Sequence, residues 1–99
     1  MRKFSPQQVR TERNRRITVW VTSSLNLSPK ERRRLTLDLR QLFKHATDNE
    51  LAEFLWEKLA PKRIVADVSD AKKAIQHFHE MALGWHPAIT NGSNERESA

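Results

Sequence analysis

The chain reads as an all-α domain of about four helices, and three observations point there. Complete helix-start signals recur, apolar residues return at intervals of three and four, and the residues that punctuate tight turns are scarce. Only two Gly and four Pro occur in 99 residues, too few for a sandwich or barrel with many tight turns.

The starts come first. Ser28-Pro29-Lys30-Glu31 places a capping Ser, a Pro at the first helical position and a Glu three residues on, which is a full capping box. Thr47-Asp48-Asn49-Glu50 repeats the box, and Ser5-Pro6-Gln7-Gln8 has the form of the first. Ser69-Asp70 is a weaker start. For the stops, Asn26 suits a left-handed residue ending the first helix. Pro61 bars continuation of the third, and Gly84 followed by Pro87 closes the last. These signals predict helices over 6–25, 29–46, 48–60 and 70–83, with an extended piece over 64–68.

Periodicity supports the later helices. Leu35, Leu39, Leu42, Phe43 and Ala46 share one face, as do Leu51, Phe54, Leu55 and Leu59. A third stripe runs through Ala71, Ala74, Ile75, Phe78, Met81 and Ala82. The organisation expected is a basic N-terminal arm or helix extension over 1–16, a helical domain over 17–87 and a disordered tail over 88–99.

One segment admits a second reading. Ile17-Thr18-Val19-Trp20-Val21-Thr22 is β-branched and alternates, which is a strand signature. Read as a strand at 17–22 followed by two helices, it resembles the ribbon-helix-helix repressors. That resemblance implies a dimeric strand pair reading DNA, with Arg16, Thr18, Trp20 and Thr22 outward. Two features depart from that pattern: the connection over 23–28 is long, and no glycine separates the two helices.

Charge is the strongest functional pointer. Residues 1–44 hold twelve Lys and Arg against three Asp and Glu, while 45–99 hold six against nine. A cationic end of this kind meets a polyanion or an acidic protein surface. Two groups carry it. Arg10, Arg13, Arg15 and Arg16, with Arg2 and Lys3, form an arginine-rich arm holding little apolar material. Lys30, Arg33, Arg40 and Lys44, with Leu37 among them, step by three and four opposite the leucine stripe. Both are candidates for phosphate contact, and an arginine that reads a base is expected from the arm. Helix three instead lines up Glu50, Glu53 and Glu57.

The expected function is therefore a small cytoplasmic nucleic-acid-binding regulator, of DNA or RNA, of the kind a phage or mobile element encodes. The rival is an inhibitor or adaptor docking on an acidic protein partner, with Trp56 and Trp85 as interface anchors. A homodimer would supply burial that a chain 37% hydrophobic lacks.

Other classes find little footing. There is no Cys, hence no disulfide, zinc knuckle or thiol nucleophile. His45, His77, His79 and His86 fall at spacings unsuited to a metal pair. No phosphate loop or nucleophile elbow occurs, so no catalytic residue, metal or cofactor is assigned and an enzyme is not expected. No apolar run approaches the roughly 20 residues of a membrane span.

Overall fold

The computed structural model describes residues 5–84. Four helices follow one another: α1 Pro6–Ser24, α2 Pro29–His45, α3 Asp48–Leu59 and α4 Val68–Leu83. A single 3-10 turn, Ala60–Lys62, follows α3. No strand occurs among the described residues.

All three capping boxes form as reciprocal hydrogen bonds. The Ser5 hydroxyl accepts from the Gln8 N–H at 3.1 Å while Gln8 Oε1 accepts from the Ser5 N–H at 2.9 Å. Ser28 with Glu31 and Thr47 with Glu50 make the same exchange. Each box satisfies two backbone donors that a helix start otherwise leaves open. Because α2 and α3 are separated only by Ala46 and Thr47, the second box also fixes the corner between them.

The strand reading of 17–22 is overturned, because the segment is helical throughout α1. A strand would put Ile17, Val19 and Val21 on one face. Here Ile17 and Val21, four apart, are fully buried and Val19 is 52% exposed. Burial of two aliphatic side chains outweighs the weak helix propensity of β-branched residues. The threonines assist: the Thr18 hydroxyl donates to the Asn14 carbonyl and that of Thr22 to the Thr18 carbonyl. Their polar atoms are thus satisfied within the helix.

Three local expectations also need correction. Asn26 does not end α1 in a left-handed turn. The cap is Leu25 in extended conformation, and Arg63 is the single positive-φ residue other than glycine among those described. Helix α4 starts two residues early because Asp67, not Ser69, is its cap: Asp67 Oδ1 accepts from the Asp70 N–H, and Asp70 Oδ2 accepts from Ala66 N–H. The segment 64–68 turns instead of extending, which drops Val65 into the core.

Helix α4 is the hub, packing extensively on both α1 and α3. Helix α2 touches α1 and α3 but not α4, so it forms an outer edge held by Leu35 and Leu39. The division expected at residue 16 falls inside α1, which continues unbroken across it. Val9, Glu12 and Arg13, assigned to an exposed arm, are buried. The tail over 88–99, with Trp85, His86 and Pro87, lies outside the described residues.

Candidate nucleic-acid interface

The two basic groups have opposite fates in the fold. On α1, Arg13 is held by Asp48 at the start of α3, its Nη1 donating to both carboxylate oxygens at 3.2 Å, while Nε and Nη2 donate to Asn14 Oδ1. Its side chain is 6% exposed against 59% for Asp48. Arg15 and Arg16 converge on one carboxylate. Arg15 donates through Nε and Nη2 to Glu12 at 2.9 and 2.7 Å, and Arg16 Nε donates to Glu12 Oε2 at 2.6 Å. Glu12 itself is 4% exposed. The Arg15 hydrogen bonds hold its carboxyl below the usual glutamate range, with burial opposing and Arg16 adding to the effect.

Three of the four described arm arginines are therefore engaged in ion pairs within the fold. The expectation of an exposed arm is corrected for Arg13, which is buried, and in part for Arg16, which is half-buried, whereas Arg15 stays 60% exposed while paired with Glu12. Arg10 is exposed and lines a groove of about 470 Å³ with Arg13, Asp48 and His79, on the side where α1 meets α4. Arg2 and Lys3 lie outside the described residues.

On α2 the pattern reverses. Lys30, Arg33, Arg40 and Lys44 are all exposed, and none makes an ion pair among the described residues. Leu37 stands among them, 50% exposed and turned directly away from Leu35 and Leu39. The helix forms a ridge with a shallow trough on each flank. One trough, about 520 Å³, is lined by Leu27, Pro29, Arg32, Arg33, Thr36, Leu37 and Arg40. The other, about 380 Å³, is lined by Leu25, Leu27, Lys30, Glu31, Arg34, Leu35, Asp38 and Lys58.

Arg32, Arg34 and Lys58 thus join a site that the three- and four-residue spacing had confined to one row. Arg32 and Arg34 are adjacent to Arg33 in sequence, so a count of charge per turn finds them. Lys58 comes from α3 and is brought in by the α2–α3 corner, and its Nζ lies 5.4 Å from the centre of the Phe54 ring. The first trough carries three guanidiniums and no acid. The second carries three cations against Glu31 and Asp38. Glu31 is occupied in the α2 cap and kept ionised by the Ser28 N–H it accepts from.

The remaining candidates do not gather into a site. Trp56 is 39% exposed on α3 and lines neither trough. The His77 and Phe78 rings pack in a T-shaped arrangement, 5.4 Å between centres. No group of three metal-ligating side chains occurs among the described residues, nor does any helix among them have the length and apolar character to cross a membrane. No family model, curated protein or solved structure matches the chain.

Proposed function

We propose that the protein binds nucleic acid through α2, with Arg33 and Arg40 as principal phosphate contacts and Lys30, Arg32, Arg34, Lys44 and Lys58 extending the surface. One observation carries this reading: six cations on a single helix remain exposed and unpaired among the described residues, while on α1 three of the four arginines, Arg13, Arg15 and Arg16, are each engaged by a carboxylate of the fold. A solvated face intended only for solubility would carry interspersed signs. This one sets its two acids, Glu31 and Asp38, together toward the second trough.

Phosphates suit the arrangement because each one neutralised releases condensed counterions, and a formed helix presents the cations without a backbone ordering cost. The 17 residues of α2 extend about 26 Å, long enough to meet several phosphates. The regulatory role is that of a small protein occupying a nucleic-acid site.

Retardation of labelled nucleic acid across a salt series tests the reading. With about four phosphate contacts, affinity falls roughly a hundredfold between 50 and 200 mM salt. Binding indifferent to salt, or absent at low salt, contradicts it. A salt-resistant protein partner recovered with no retarded probe would favour the adaptor reading instead.

A further inference from the structure

We infer, resting on the reading above, that the partner is double-helical DNA, with α2 lying in the major groove and one phosphate strand along each flanking trough. The observation that selects a duplex is the two-sidedness of the cations. Arg32, Arg33 and Arg40 line one flank of the ridge, and Lys30, Arg34 and Lys58 line the other. A single strand needs one cationic track. A helix inserted between two backbones needs one on each side.

The dimensions agree. An α-helix with its side chains is about 10–12 Å across, and the B-form major groove is about 12 Å wide. Helix α2 is free to enter because it sits at the edge of the fold, away from α4. Duplex RNA is excluded on shape, since its major groove is too deep and narrow for side chains on a helix to read. Single strands are disfavoured on chemistry. Their binding draws on exposed aromatic side chains that stack on bases, and neither trough contains an aromatic residue. At the crest stands Leu37, an exposed apolar side chain among cations. In a major groove that side chain would face the thymine methyls of the groove floor.

The troughs are unequal, and that makes the inference testable. Asp38 lies in the second trough with Lys58, where it opposes a phosphate strand that Lys58 attracts. Neither residue belongs to the row of Lys30, Arg33, Arg40 and Lys44. A one-track complex along the first trough would therefore be nearly indifferent to both.

The experiment uses the full chain and fluorescence anisotropy on one sequence offered as duplex DNA, duplex RNA and single-stranded DNA. Circular dichroism melts confirm that each variant is folded. Duplex DNA should bind at least about tenfold tighter than the other two. Lys58→Ala should weaken duplex DNA about threefold and leave the single strand within about twofold, and Asp38→Asn should tighten duplex DNA about threefold. Duplex RNA or single strand binding as well as duplex DNA overturns the inference. So does a duplex affinity unmoved by both substitutions. In either case binding that still depends on Arg33 and Arg40 leaves the broader reading standing, whereas no binding to any probe at low salt removes both.

Discussion

Helices α1 and α2 contribute most of the protein's positive charge, and they spend it differently. In α1, Arg15 and Arg16 stand beside a buried carboxylate and Arg13 reaches a neighbouring helix, so three of the four arginines are engaged in holding the fold and Arg10 is not. In α2 the cations face outward with no partner among the described residues. Local sequence composition makes both segments candidates. The fold separates them, because a charge already paired within the protein attracts an external ligand less strongly than one left unpaired.

Reversing charge at the unpaired site should have the greatest consequence. The double substitution Arg33→Glu and Arg40→Glu should reduce DNA affinity by roughly a hundredfold at low salt, for all sequences alike, while the thermal midpoint moves little. Both residues are exposed, so the melt separates lost binding from lost structure.

On the other side, Glu12→Gln should act on stability. It removes the anion that two guanidiniums share at a 4% exposed position, at a cost of about 2 kcal/mol. For a domain this size that lowers the thermal midpoint by roughly 8–16 °C. The same pair sets an acid sensitivity. Because the folded Glu12 carboxyl titrates below its ordinary value of 4.5, its contribution is complete above that value. It is lost as pH falls through the lowered one. Stability of Glu12→Gln measured down through that range should decline less steeply than that of the natural protein.

The Arg13–Asp48 pair should matter less. Its acid is 59% exposed, so Asp48→Asn should cost about 1 kcal/mol or below, read in urea unfolding. Smallest of all is Arg10→Gln. Arg10 is exposed on the side where α1 meets α4, and its loss should change DNA affinity by less than about twofold.

Much of the fold was legible because its signals are local. Ser5, Ser28 and Thr47 each sit three residues before a Gln or Glu, and all three boxes form as read. The start of α4 was misplaced because Asp67 and Ser69 are both good caps. The choice falls to the position that lets Asp70 return a bond to the Ala66 N–H. The β-branched run 17–22 misleads because its alternation is real, and only the buried surroundings of Ile17 and Val21 decide for a helix.

The site was legible in part. The row on α2 followed from spacing. The pairing of Arg15 and Arg16 was missed although its signal is local, since Glu12 stands three and four residues before them on one helix face. The pairing of Arg13 was not legible, because Asp48 is 35 residues away. Nor was Lys58, which reaches the second trough only through the corner at Ala46 and Thr47.

The contrast between the two helices reduces to how affinity for duplex DNA changes with salt. The slope of log affinity against log salt should be about −4 for the natural chain and should shrink by nearly two in the double neutralisation Arg33→Gln, Arg40→Gln. It should stay unchanged in Arg15→Gln, Arg16→Gln, assayed below that variant's melting range. A slope that survives loss of Arg33 and Arg40 but shrinks on loss of Arg15 and Arg16 would contradict the account.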